Sequence, residues 1–580
     1  MNWKPVAIIA WLYDSPPGAS DRLISRWLFL RALGVIYFSA FFSLLFQIRG
    51  LIGPEGILPA KDYLQAVVTA AGHLRYWYAP TLLWLNSSST MLMALCVVGL
   101  VSSGLFVANV WPRGMLAICF VCFLSFVGAA SEFAGYQSDG MLLEAGFISL
   151  FLAPTGFRPE LGRSNPPIRA SVFLLLWEWF RIYFESGVAK IASGDPEWRQ
   201  FTAMDEYYQN GPLPTWIGWY AQHLPHWFHA ATAFLTLAME LAFVFLLFLG
   251  RRTRIICFFV VTAWQIGVIL TANYAFLNYL VLALAIFLLD DAFFLQYVPT
   301  RWKQALATRL ALAAGPEEAA SIFESPSVVH PEKTETENAD DKQQNANRPE
   351  WARLGRQFHS LKLAAVSVIF ICLFYTSSVE LLWMIVPGFP LPSTPVVALE
   401  PFRIAERYGL FAVMTPARYE IEFQGSNDGK TWIPYPFGFK PQDVNKPPRI
   451  FAPYQPRFDW NLWFASLGDW RSNPIVPRTE KRLLEGDKDV IALFAGNPFP
   501  DKPPRQIRAL LWQYWFTSMK EKSETGVWWK RESRGLYAPT LEMEPDGKLT
   551  VVEIPSPPEP LETQPAPPQE LPAPPQPPQE

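Results

Sequence analysis

Four ionisable side chains interrupt the apolar stretch Val172–Ser193, VFLLLWEWFRIYFESGVAKIAS: Glu178, Arg181, Glu185 and Lys190. Glu178, Arg181 and Glu185 stand at i, i+3 and i+7, which is one face of a helix. At that spacing Arg181 reaches either carboxylate. An ionisable group in hydrocarbon costs at least ~2.5–3.5 kcal/mol and persists only when paired or when it lines a cavity. Such a row can move protons or bind a polar substrate. The plainer reading is a buried ion-pair network that fixes helix packing. Lys190 ends the stretch, and an amine beside an apolar interior is a candidate base. Against that stand snorkelling to the interface and pairing with Asp195.

Asp139 and Glu144 flank GMLL at the mouth of another apolar segment, beside Tyr136 and Gln137. Paired carboxylates do acid–base work. Ser138 or Asp139 equally well caps a helix start. Glu178, Arg181, Glu185, Asp139 and Glu144 together are the expected intramembrane polar network. His223, His226 and His229 recur every three residues, and half of the six histidines lie there, which invites a metal. Pro225 breaks that helix, however, and no cysteine or carboxylate adjoins it. An interfacial loop with Trp216, Trp219 and Trp227 as belt aromatics is the better reading. Cys119 and Cys122 form a CxxC inside MLAICFVCFLSF, where packing outweighs redox or metal chemistry. All five cysteines lie in apolar stretches, so no disulfide framework is expected. There is no GxSxG, P-loop, HExxH or GxGxxG in a fitting context. The chain therefore has no hydrolase signature, and no metal or cofactor is called for.

These residues must be held by membrane elements. The chain has 580 residues, 51% of them hydrophobic and only 17% charged, too apolar for a soluble surface. A net charge of -3 gives no basis for a nucleic-acid partner. Nine segments approach the ~20 apolar residues of a spanning helix: Trp27–Phe46, Thr90–Val110, Met115–Ala130, Met141–Pro154, Val172–Ile191, Phe228–Leu249, Ile255–Thr271, Ala275–Leu289 and Leu361–Val386. Three are short, so the expectation is a bundle of about eight to nine spans. Arg22, Arg26, Arg113, Arg158, Arg163, Arg169, Arg251, Arg252, Arg254, Arg301 and Lys303 fall on alternate connections, which belong on the cytoplasmic side.

The expected organisation is a bundle over 1–300, a cytoplasmic linker over 301–360 and a last span over 361–386. The linker is polar and without apolar periodicity, most clearly at 314–360, and reads as disordered. A folded region over 395–545 follows, beyond the membrane. A proline-rich tail over 554–580 closes the chain and reads as extended. In 395–545, YEIEF (Tyr419–Phe423), the Asn427-Asp428-Gly429 turn and TWIPYPF (Thr431–Phe437) predict a hairpin. Short strands among many prolines and aromatics predict a β-sandwich.

Several stretches, in order along residues 27–545, resemble the lipase maturation factor family. In the bundle they are GLIGPEGILPAKDYL (50–64), SEFAGYQSDGMLLEAGFISLFLAP (131–154), FRIYFESGVAKIASGDPEWRQFTAMDEYYQNGPLPTWIGWYAQHLPHWFH (180–229) and LTANYAFLNYL (270–280). Beyond it are YGLFAVMTPARYEIEFQGSNDGKTWIPYPFGFKPQD (408–443), APYQPRFDWNLWFASLG (452–468), NPFPDKPPRQIRALLWQYWF (497–516) and TGVWWKRESRGLYAPTL (525–541). Ser138 departs from the family, which more often has tryptophan there. The resemblance implies a membrane protein that helps exported lipases fold and assemble, with the C-terminal region beyond the membrane. That places it in the inner membrane of a bacterium, facing the periplasm, or in the endoplasmic reticulum membrane, facing the lumen. A client lipase or related exported protein and membrane lipids are the implied partners, with Trp432, Trp460 and Trp463 as candidate client contacts. The membrane half also resembles, more distantly, vitamin-K-dependent carboxylases. The alternative is thus a carboxylase-like enzyme acting on a lipid or protein through Lys190, Glu178 and Glu185.

Overall fold

In hydrocarbon the backbone must bond to itself, so apolar runs become helices. The computed structural model describes residues 12–13, 22–297, 299 and 350–556, and all nine apolar segments are helical in it. They are α1 (Leu23–Ile52), α2 (Ser89–Val107), α3 (Pro112–Val127), α4 (Gln137–Leu152), α5 (Arg169–Ala192), α6 (His226–Leu241), α7 (Arg251–Thr271), α8 (Leu277–Ala285) and α9 (Glu350–Ile385). Most of the expected linker, and the tail from 557 onward, lie outside the described residues.

Five helices are long and apolar enough to cross a bilayer: α1, α2, α6 with its continuation to Phe248, α7, and Leu361–Ile385 of α9. A sixth arises if Leu277–Leu288 and Asp291–Tyr297, bent by 94°, form one span. The chain is a multi-pass membrane protein, with fewer clear spans than the eight to nine expected. The shortfall has local causes. α3 and α4 have 16 residues each, below the ~20 a span needs. α5 is long enough at 24 residues, but it carries the four charges. α5 is central: α4, α6, α8 and α9 all pack on it.

Beyond the bundle, five antiparallel strands form one sheet in the order β2-β1-β3-β4-β5. They are β1 (Arg418–Ser426), β2 (Ile433–Pro434), β3 (Gln506–Phe516), β4 (Trp529–Met543) and β5 (Leu549–Glu553). β1 and β3 pair in register from Arg418↔Tyr514 to Ser426↔Gln506. Helices α10 (Arg457–Ser466) and α11 (Ile475–Glu485) pack on β1, β3 and β4. A helix-covered single sheet thus stands where a sandwich is expected, and no second sheet occurs among the described residues. Composition explains this. Pro436, Pro441, Pro447, Pro448, Pro453 and Pro456 follow the hairpin, and each lacks the N–H that a ladder requires. The expected return strand shrinks to Ile433–Pro434 for the same reason.

The turn itself matches expectation. Asp428 accepts from the amides of Lys430 (2.8 Å) and Thr431 (2.7 Å), and those bonds hold its carboxyl below the ordinary range. Gly429 has φ +71°, and a Cβ there would stand 3.0 Å from Gln506 Oε1. A β-branched residue is strained in that region. Gly429→Val is therefore expected to loosen the sheet by roughly 1–3 kcal/mol while the bundle still inserts. Limited proteolysis of membranes checks this, by faster cleavage within 395–545 at a normal membrane level.

Candidate functional site

The charged face of α5 does not face an empty channel. It holds a length of the chain that comes back from beyond α9. Arg181 is fully buried. It pairs with Glu144 of α4, lies 3.7 Å from Glu185 one turn on, and donates to the Glu406 carbonyl at 2.6 Å. Glu144 Oε2 also accepts from the Tyr408 hydroxyl (2.8 Å) and the Glu406 amide (3.1 Å). Glu185 accepts from the Tyr408 amide at 2.7 Å. The Arg181 guanidinium stands over the Tyr408 ring, 5.2 Å from its centroid. Gly140 permits the approach, since a Cβ there would lie 2.5 Å from Glu406 Cγ.

The same strap continues along the bundle. The Gly409 amide donates to Gln137 (3.1 Å). Lys190 Nζ donates to the Leu410 carbonyl (2.8 Å) and to Glu240 of α6 (2.9 Å). The Trp198 indole donates to the Phe411 carbonyl (3.0 Å), and Ser193 to that of Ala412 (2.7 Å). Asp195 accepts from the Met414 amide (2.7 Å), and Asn210 donates to the Thr415 carbonyl (2.9 Å). Residues 406–415 are neither helix nor strand. Irregular backbone buried against a membrane bundle is tolerated only where its polar groups find partners. Here the bundle's polar side chains are those partners.

A second clasp joins Arg457 of α10 to Asp139 of α4. Two bonds of 2.6 and 2.8 Å link them, and Arg457 also donates to the Phe133 carbonyl at 2.7 Å. A bidentate guanidinium–carboxylate pair is among the stronger polar contacts. Asn273, in the loop between α7 and α8, makes a third. Its amide donates to the Arg449 carbonyl (2.8 Å), and its oxygen accepts from Phe451 (3.0 Å) and Ala452 (3.1 Å). In α10, burial pushes the Asp459 carboxyl up to about 6, against the pull of its bonds to the Lys440 and Phe439 amides.

Of the five residues of the expected polar network, the structure brings Glu144, Arg181 and Glu185 together. It leaves Glu178 buried with neither carboxylate oxygen hydrogen-bonded among the described residues. Asp139 lies apart from that cluster and pairs with Arg457. It does not cap α4, where Tyr136 stands at the N-cap and no side chain caps the helix. Lys190 neither snorkels nor meets Asp195, because Glu240 and the strap take it. Glu240 was missed, although one acid deep in HWFHAATAFLTLAMEL is the same signal that marks Glu178. Asn273, Glu406, Tyr408 and Arg457 were missed too, since they matter only through contacts distant in sequence.

His223, His226 and His229 diverge. His223 bonds the Trp219 and Thr517 carbonyls, His226 meets Asp205, and His229 meets the Leu224 carbonyl. No group of three or more metal-ligating side chains occurs among the described residues. Cys119 and Cys122 are buried free thiols. Trp432 is half-buried beneath Arg508, 4.1 Å from its ring centroid. Trp460 and Trp463 are buried and line a cavity of about 740 Å³ against the bundle, as does Ser138.

Residues 24–296 match the family described as Lipase maturation factor transmembrane domain, and residues 404–539 match Lipase maturation factor C-terminal domain. Lipase maturation factor 2 of Gallus gallus is 32% identical over 89% of this chain and 81% of its own length. The Homo sapiens protein of that name is 30% identical over 90% of this chain and 84% of its own. Lipase maturation factor 1 of Mus musculus is 30% identical over 90% and 88%. No solved structure matches the chain.

Proposed function

The chain belongs to the lipase maturation factor family, and from that premise we propose that it is a membrane-bound folding and assembly factor for exported lipases or related secreted proteins. The observation that carries this reading is the match of both halves of the chain, in order, to relatives named for lipase maturation. The docked architecture supports it. A client-handling region needs a fixed stance at the membrane, and the Arg181 and Arg457 clasps supply one. Residues 1–300 and 361–386 serve as the anchor, and 395–545 engages the client. Of the three tryptophans, Trp432 is the one within a client's reach without undocking.

The Arg and Lys bias supports a C-terminal region facing the periplasm, from a bacterial inner membrane, or the lumen of the endoplasmic reticulum. With α3, α4, α5 and α8 also at membrane depth, the count becomes eight to nine. Reporter fusions after Arg254 and after Arg309 are expected to read cytoplasmic, and a fusion after Leu541 is not. A cytoplasmic signal at Leu541 would reverse the orientation. No observation favours the carboxylase-like alternative: Lys190 and Glu185 are engaged by the strap.

Crosslinking in intact membranes, followed by mass spectrometry, tests the client reading. A lipase or related exported protein is expected on peptides from 395–545. Recovery of such clients on the bundle alone would move the client-handling part away from that region.

A further inference from the structure

A well-packed interior leaves few voids larger than a water molecule. The cavity of about 740 Å³ between the bundle and the C-terminal region is far larger. It falls within the range of sites that hold small organic ligands. Its wall is rich in aromatic rings, including Trp198, Tyr208, Trp264, Phe411, Trp460 and Trp463. Among the polar side chains that line it are Tyr183, Lys190, Tyr207, Glu240, Gln265 and Tyr274.

Those six pair off and leave three polar atoms unused. Tyr183 donates to Gln265 Oε1 at 2.9 Å, which leaves the Gln265 amide nitrogen without a hydrogen-bond partner among the described residues. Tyr274 donates to the Tyr207 oxygen at 2.8 Å, which leaves the Tyr207 proton without an acceptor among the described residues. Lys190 takes one oxygen of Glu240, and the other is buried with no partner among the described residues. A buried polar atom without a hydrogen-bond partner is costly to leave so. Two donors, on Gln265 and Tyr207, and one acceptor, on Glu240, are thus available to a guest in this cavity. Tyr183 of α5 bonds Gln265 of α7, and Lys190, two turns further along α5, bonds Glu240 of α6, so these groups share the α5 side of the cavity.

The charge and the opening narrow the guest. Lys190 and Glu240 neutralise each other at 2.9 Å, so the polar end does not call for an ionic head. Part of the wall is the outer face of α7, where Ala263 and Gly267 are exposed. Only 17% of the apolar window of α7 is buried, so the helix turns mostly to the bilayer. We propose that this cavity binds a neutral, single-tailed lipid that enters past α7. Its tail lies against the aromatic wall. Its hydroxyl donates to Glu240, and its carbonyl accepts from Gln265 and Tyr207. The site does not depend on the maturation reading.

The test uses the full chain in lipid nanodiscs and a photoreactive, alkyne-tagged monoacylglycerol. Crosslinks are expected on 203–210, on α6 and α7 and on 406–415, displaced by excess mono-oleoylglycerol but not by lysophosphatidic acid. Gly267→Phe places a ring at the lining of the mouth where a Cβ meets nothing within 4 Å and so clashes with nothing, and is expected to abolish these crosslinks without changing the melting temperature. Gln265→Leu removes one donor and is expected to weaken displacement by roughly threefold to tenfold. Crosslinks spread equally over α2, or unchanged in Gly267→Phe, would overturn the site. Equal displacement by lysophosphatidic acid would overturn the neutral head.

Discussion

Arg181→Ala is expected to lose most of the protein from the membrane. The substitution strips the cation from Glu144 and Glu185 in a fully buried cluster and frees the Glu406 carbonyl. Removing one partner of a buried ionic group costs roughly 3–5 kcal/mol, a large part of the 5–15 kcal/mol that holds a typical fold. What survives should release the strap, because Glu144 and Glu185 bind Tyr408 in the geometry that Arg181 sets. Thermal melting in detergent and protease release of 395–545 read both effects. Unchanged melting would mean that the cluster is open to water and does not clamp the strap.

Arg457→Ala is expected to act at the second clasp with a cost of the same order. Asp139 would be left buried without its two bonds, and the Phe133 carbonyl without its donor. The failure should differ in kind. α10 carries Arg457, so the sheet region undocks while the α4–α5 cluster stays paired. A cycle of Arg457→Ala, Asp139→Asn and the double variant should give a coupling energy of roughly 0.5–3 kcal/mol in melting. Strict additivity would show that the pair contributes no coupling.

The sequence carried the bundle well, because each span needs a long apolar run and such runs are visible. It also marked the charged face of α5, since an ionisable group in hydrocarbon is costly anywhere. It could not say what that face holds. The partners at Glu406, Tyr408, Leu410 and Met414 lie more than 200 residues away and are largely backbone groups, which have no sequence signature. Asp139 was legible as a buried acid but not as the mate of Arg457, for the same reason. The hairpin turn was legible because Asn427-Asp428-Gly429 has a local preference. The sheet's helical cover was not, because alternation in a strand says that a face is covered but not by what. The prolines after β2 were the available hint against a second sheet.

The central claim is that this chain matures exported lipases, with its two halves docked as one unit. The most direct measurement is the specific activity of an exported lipase, per molecule of lipase, in cells lacking the chain, with it restored, and with Arg457→Ala in its place. Lipase synthesis is held constant, and each value is normalised to the variant's own membrane level. Specific activity is expected to fall sharply without the chain, to return with the wild type, and to stay low with the undocked variant. Equal specific activity with and without the chain would contradict the maturation role, and full activity from Arg457→Ala with a protease-released 395–545 region would contradict the docked unit.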